Sequence, residues 1–182
     1  PSDASRALLE TDRGFERLFS VYELETGSRA LEAAIAATVM HLVFHGGRRT
    51  REQLEAIVKM LASDASPVLT YSSMALWAAA CDQDNRAELG ELFAVDGLVH
   101  VLQSHAQLRI KEYVVAGLWL ISCDPKNAIR ATMHGAVPLL VGMVLFPFEK
   151  AYVPGRTLAI GALLQLVETS TDVLNVVAQY TF

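Results

Sequence analysis

The sequence predicts an all-α fold: a solenoid in which helical units stack into a right-handed α-α superhelix. Three observations predict it. First, a pattern recurs. Leu76-Trp77, Cys81-Asp82 and Asn85 return as Leu118-Trp119, Cys123-Asp124 and Asn127, each 42 positions later. Both tryptophans and both cysteines of the chain lie inside these copies, so coincidence is a poor account of it. A fixed period between about 20 and 50 residues marks an array whose units bury their apolar faces against their neighbours. Second, apolar residues follow helical spacing along the chain, and no convincing alternating strand pattern competes with it. Third, Gly, Pro, Asp and Asn punctuate the chain at helix-length intervals.

The elements follow in order. Residues 14–24 and 28–44 read as a pair of helices. Residues 50–62 and 66–80 form a second pair, whose preceding first helix has shrunk to a turn at Gly46-Gly47. A full three-helix unit comes next. Residues 85–95 make its first helix, with Leu89, Leu92 and Phe93 on one face. Asp96-Gly97 supplies a turn, since glycine tolerates the positive φ that ends a helix. Residues 98–104 and 107–122 are the second and third helices. The third buries a stripe of Ile110, Val114, Gly117, Leu118 and Ile121. The following unit repeats the plan: 127–133, a turn at His134-Gly135, 136–145, then 156–167. Gly97 and Gly135 are 38 apart rather than 42, which implies four extra residues early in the first of these two units. Ser170-Thr171-Asp172 offers N-caps for a last helix over 173–179. The units therefore span about 5–44, 48–82, 85–123 and 127–168, with the start of another at 171–182. Because the chain begins at Pro1 and ends at Phe182, it is expected to be a segment of a longer array.

Composition narrows the function. The chain has 182 residues, 52% of them apolar, and a formal net charge of −5. Arg48, Arg49 and Arg51 form its tight basic cluster, read as a solvated turn before a helix; dispersed basic residues argue against nucleic acid as a partner. The uncharged run 131–148 is broken by His134, Gly135, Pro138, Gly142 and Pro147. It reads as two packed helices and a turn, not a bilayer span. Cys81 and Cys123 read as inert, buried, unbridged thiols of an intracellular, cytoplasmic protein.

With the elements in place, the units resemble the armadillo repeat. Gly135-Ala136-Val137-Pro138-Leu139-Leu140-Val141 matches the turn into that family's second helix. Ala75-Leu76-Trp77 and Gly117-Leu118-Trp119-Leu120-Ile121 match its third-helix run, and Asp96-Gly97-Leu98-Val99 is a weaker turn. The resemblance is strongest from Met74 to Val141. It implies an armadillo-like solenoid that binds other proteins. In peptide-binding members a Trp and an Asn four residues later line a concave groove, where the Asn clamps the backbone of an extended peptide. Here the Asn step holds Cys81 and Cys123, and a thiol cannot replace a carboxamide with two donors and an acceptor. Binding of nuclear-import signals is therefore not expected.

Sharper chemical readings have little behind them. His41 and His45 share a helix face at metal-ligand spacing, without the glutamate of a metalloprotease signature. Asp82, Asp84 and Glu88 read as a cap and charged first turn. No phosphate-binding glycine loop or nucleophile elbow is present. No enzyme activity, metal, cofactor, small-molecule substrate or membrane insertion is expected.

The expected function is that of a non-enzymatic scaffold or adaptor. It would bind a segment of a protein partner along the third-helix groove through Trp77, Tyr113 and Trp119. The tryptophans could instead pack between units. A second candidate contact is the loop 145–155, with Phe146, Phe148 and Tyr152, which could also fold back on its own unit. The alternative function is a building block of a large cytoskeletal or ciliary assembly, held through solenoid faces and ends.

Overall fold

The computed structural model describes residues 12–24, 27–44, 47–104, 107–145, 153–169 and 171–179. Among them run eleven helices and no strands. They are α1 (Asp12–Glu23), α2 (Arg29–Phe44), α3 (Arg51–Met60), α4 (Ser66–Cys81), α5 (Gln83–Glu91), α6 (Ala94–Gln103), α7 (Leu108–Ile121), α8 (Pro125–Met133), α9 (Ala136–Leu145), α10 (Val153–Thr169) and α11 (Thr171–Ala178). Each helix packs mainly on its neighbours in the chain and on its counterpart in the next unit. The units are α1–α2, α3–α4, α5–α7 and α8–α10, with α11 opening another. This is an all-α stack of helical repeats.

Third helices form the spine. α2 packs on α4, α4 on α7, and α7 on α10. Between α4 and α7 the spine is dense because a large side chain is set against a small one. A Cβ added at Gly117 of α7 would lie 3.1 Å from Leu76 Cδ2 of α4. Leu76 and Leu118 are both fully buried at 0% exposure. The expected α7 stripe of Ile110, Val114, Gly117, Leu118 and Ile121 is buried throughout.

Local chemistry explains the helix starts. Thr50 caps α3 in a capping box, its hydroxyl accepting from Gln53 N–H while Gln53 Oε1 accepts from Thr50 N–H; two orphan donors are satisfied at once. Asp82 caps α5 by accepting from Asp84 N–H at 3.0 Å. Its repeat mate Asp124 caps α8 by accepting from Lys126 N–H at 2.9 Å and Asn127 N–H at 3.2 Å. The repeated aspartate is thus a helix N-cap, worth about 1 kcal/mol to each helix. The first helices accordingly start two residues before Asn85 and Asn127.

The expected turn at Asp96-Gly97 is not there. Both residues lie inside α6. The break falls at Leu92-Phe93, and Phe93 takes φ 64, the left-handed conformation that Gly135 takes at φ 81 in the next unit. Phe93 precedes Gly135 by 42 residues, so the register is unbroken and the expected four-residue insertion does not exist. Ala94-Val95 and Leu98-Val99 match Ala136-Val137 and Leu140-Val141 at the same period. Phe93, expected on one helix face with Leu89 and Leu92, stands outside α5 and is 60% exposed, and the Arg130 guanidinium covers its ring at 4.4 Å. Gly97 serves close packing instead: a Cβ there would be 3.2 Å from Leu61 Cδ1.

The basic cluster also differs from expectation. Arg49 donates to the carbonyls of Leu42 and Val43, both at 3.2 Å, at the end of α2. Arg51 pairs with Glu88 and with Glu91 of α5. These arginines tie adjacent units together because, among the described residues, no first helix separates the α2 carbonyls and α5 carboxylates from the 47–50 turn. The described part of the uncharged run, 131–145, forms the end of α8, a turn and α9 as expected. No single helix among the described residues is long and apolar enough to cross a bilayer, and α8 and α9 meet at a 78° bend.

A candidate interaction groove on the third helices

The repeated residues fall into distinct roles. Asn85 and Asn127 are 1% and 5% exposed, and both are clamps between units. Asn85 Nδ2 donates to Ala79 O at 2.9 Å and Gly47 O at 3.3 Å, while Oδ1 accepts from Arg49 N–H at 2.9 Å. Asn127 Nδ2 donates to Ile121 O at 3.3 Å and to Arg86 O at 2.9 Å in the preceding unit. A buried carboxamide needs such partners, since leaving one group unpaired costs about 1–3 kcal/mol. These asparagines therefore hold the stack and do not face a ligand.

Trp77 and Tyr113 do face outward. Their rings stack with centroids 6.0 Å apart at 27°. Trp119 sits one unit further along, its ring against Gly161 of α10, where a Cβ would come within 2.9 Å of the indole. Trp77, Tyr113 and Trp119 are each half-buried. The three expected contact residues line one groove of about 570 Å³, together with Glu112, Ala116, Leu120, Pro154, Thr157 and Leu158. Sequence reading missed the last six, although the period pointed to them. Pro154 and Leu158 stand 42 residues after Glu112 and Ala116. Glu112 is the acid among these lining residues. Beside it the Arg109 guanidinium donates toward Tyr113 Oη at 3.5 Å, which holds Arg109 above the ordinary arginine pKa.

The cysteines overturn the expectation of buried thiols. Cys81 and Cys123 are free and exposed. Each lies four residues after its tryptophan, one helical turn along the same outward face and off the buried stripe. Cys123 Sγ lies 3.6 Å from Gln165 Oε1, and Gln165 follows Cys123 by 42 residues. The ladder beside the tryptophans is therefore Cys81, Cys123, Gln165, with one carboxamide among its three steps.

The other expected sites stand apart. Phe146, Phe148, Tyr152 and His45 lie outside the described residues. His41 is exposed near the end of α2, and no group of three or more metal-ligating side chains occurs among the described residues. Asp82 is a cap, and Glu88 an ion-pair partner of Arg51. A second surface cluster joins units through Asp96. Arg130 Nε lies 2.6 Å and His134 Nε2 3.2 Å from its carboxylate.

Comparison with known proteins agrees with the geometry at the level of fold. The chain matches no described sequence family and no curated protein. It is similar in structure to crystal structures of engineered proteins from the Northeast Structural Genomics Consortium. One superposes with a TM-score of 0.78 at 19% identity, over 98% of this chain and 43% of that one. A second gives 0.73 at 19% identity, over 99% of this chain and 76% of that one. A third gives 0.67 at 16% identity, over 86% and 69%. The chain thus spans less than half the length of the first of these structures. At such identities the likeness is one of fold.

Proposed function

We propose that the chain is a non-enzymatic interaction scaffold of armadillo type, which binds a segment of a partner protein in the groove of its third helices. The observation that carries this reading is the convergence of Trp77, Tyr113 and Trp119 on one open groove floored by Ala116, Leu120, Pro154 and Leu158. Tryptophan and tyrosine are the side chains that most often anchor protein contacts. Half-buried rings are already ordered by their own fold, so a partner loses little further entropy by docking on them. Burying one large apolar side chain of the partner here contributes about 1.5–3 kcal/mol. Glu112 at the rim favours a basic residue beside that anchor. With thiols at two of three ladder steps, the groove grips side chains more than peptide backbone. The armadillo assignment rests on the three-helix plan, the turn motif at Gly135 and the third-helix motifs.

Panning a random peptide display library against the purified chain tests this. Selected peptides should share an aromatic or large aliphatic anchor. They should lose more than about tenfold in affinity on Trp119→Ala, the loss expected of an anchor residue. A Trp119→Ala protein with an unchanged helical spectrum and unchanged affinity for every selected peptide would remove the groove assignment.

A further inference from the structure

The aromatic rows of the groove stop at α10. Tyr71, Tyr113 and Gly155 occupy one step of the 42-residue register, and Trp77, Trp119 and Gly161 another. Both rows run through α4 and α7 and end in glycine on α10. Between α4 and α7 the rows meet: the Trp77 indole stacks on the Tyr113 ring, with centroids 6.0 Å apart at 27°, a spacing that aromatic pairs prefer. One unit later Trp119 has settled onto Gly161, where a Cβ would lie 2.9 Å from its indole. The residue that answers Tyr113 there is Gly155, which brings no ring.

The groove's cavity lies beside that step. Pro154, Thr157 and Leu158, the neighbours of Gly155 on α10, line it together with Trp119. Its volume of about 570 Å³ has room for a large side chain. The lining is apolar apart from Glu112 and Thr157 at its edge. Glu112 is its charged residue, and the α10 counterpart of Glu112 is Pro154, which brings no cation to it. Arg109, on the same helix, donates toward Tyr113 Oη.

We infer that the partner segment anchors through an aromatic side chain, which stacks on Trp119 at the Gly155 step as Tyr113 stacks on Trp77, with a Lys or Arg beside it facing Glu112. The inference rests on the groove reading and names what the groove takes. A ring is favoured over an aliphatic chain because the fold itself places a tyrosine at this step in both preceding third helices. A ring also covers the indole while freezing few rotatable bonds. The basic neighbour follows from charge complementarity with Glu112.

Two random peptide display libraries panned against the purified chain test this, one containing Tyr, Trp and Phe and one built without them. Captured peptides should come from the first library and pair a ring with Lys or Arg. Replacing that ring by Leu should weaken binding more than about tenfold, as losing an anchor does. Glu112→Lys reverses the charge at the cavity's edge and should weaken the same peptides by a similar factor. With benzoylphenylalanine in place of the ring, photo-cross-linking should label Trp119, Pro154, Thr157 or Leu158, a readout that needs no variant of the protein. The inference fails if the Leu replacement binds equally, if Glu112→Lys changes nothing, or if the label falls elsewhere. Peptides from the ring-free library that bind as tightly and lose affinity on Trp119→Ala would overturn the aromatic anchor and leave the groove reading standing. If no peptide from either library depends on Trp119, the groove reading falls with it.

Discussion

Asn127 Oδ1 stands where a side chain at position 90 would begin: a Cβ on Gly90 would lie 1.8 Å from it. One unit's clamp therefore requires the absence of a side chain in the unit before. Mid-helix Gly→Ala ordinarily stabilises by about 0.5–1 kcal/mol. Here the added methyl must displace a buried carboxamide bonded to two carbonyls. Gly90→Ala is expected to destabilise by about 1–3 kcal/mol, in the range of overpacked cores. The urea midpoint measures it, and an unchanged or raised midpoint would contradict the packing described.

The matching prediction concerns Asn85. Asn85→Ala strands Ala79 O, Gly47 O and Arg49 N–H at the joint between the second and third units. A loss of about 1–3 kcal/mol is expected for groups left buried and unpaired. The joint is the weak point of the array, because the preceding unit has no first helix among the described residues. Hydrogen exchange should therefore show α1–α4 opening more readily in this variant, with α7–α10 little changed. Uniform loss of protection would argue that the units do not open separately.

The 42-residue pattern located the helices because leucine, tryptophan, aspartate and asparagine each have a position-specific duty, and those duties recur. The pattern could not say which duty was which. Asn85 and Asn127 are clamps because each joins a carbonyl six residues back, Ala79 O or Ile121 O, to one more than thirty residues back, Gly47 O or Arg86 O. Cys81 and Cys123 looked buried because they end apolar helices; their outward direction follows only once the stripes of α4 and α7 are phased. Phe93 hid its turn because a large aromatic is rarely left-handed, and Gly97 nearby offered a more ordinary turn residue.

Phe93 carries a local cost that can be relieved. A left-handed backbone costs a residue with a Cβ about 1–2 kcal/mol. Its ring recovers part of that under the Arg130 guanidinium, about 0.5–1 kcal/mol for an exposed cation–π pair. Phe93→Gly loses the second and gains the first, so it should stabilise by up to about 1 kcal/mol. Phe93→Val should destabilise by more than that, since a β-branched residue at positive φ is strained. Thermal melts of the two variants should move in opposite directions; a common direction would mean that the ring contact, not the backbone, dominates this turn.

The exposed thiols give a chemical readout of the ladder. Both cysteines should react with Ellman's reagent in the folded protein, because each lies on the outward face and neither is bridged. Cys123 should be the slower of the two, since Gln165 and the Trp119 carbonyl crowd its sulfur at 3.6 and 3.8 Å. Cys81→Ser and Cys123→Ser separate the two rates. Reaction only after unfolding would restore the buried placement.

Gly161 sets how far Trp119 reaches into the groove. A Cβ there would meet the indole at 2.9–3.0 Å. The ring is half-buried and can swing outward, so Gly161→Ala should cost less than about 1 kcal/mol, near the limit for surface changes. Gly117→Ala is the control. Its Cβ would press at 3.1 Å on Leu76, which is fully buried and cannot swing; that change should cost about 1–3 kcal/mol. The two also differ in what they do to the groove. Gly161→Ala should shift tryptophan emission to longer wavelength and weaken peptide capture while leaving the melting temperature nearly unchanged. Gly117→Ala should lower the melting temperature with little change in emission. If Gly161→Ala left both emission and capture untouched, the indole would already be turned away from the groove, and Trp119 could not be its anchor.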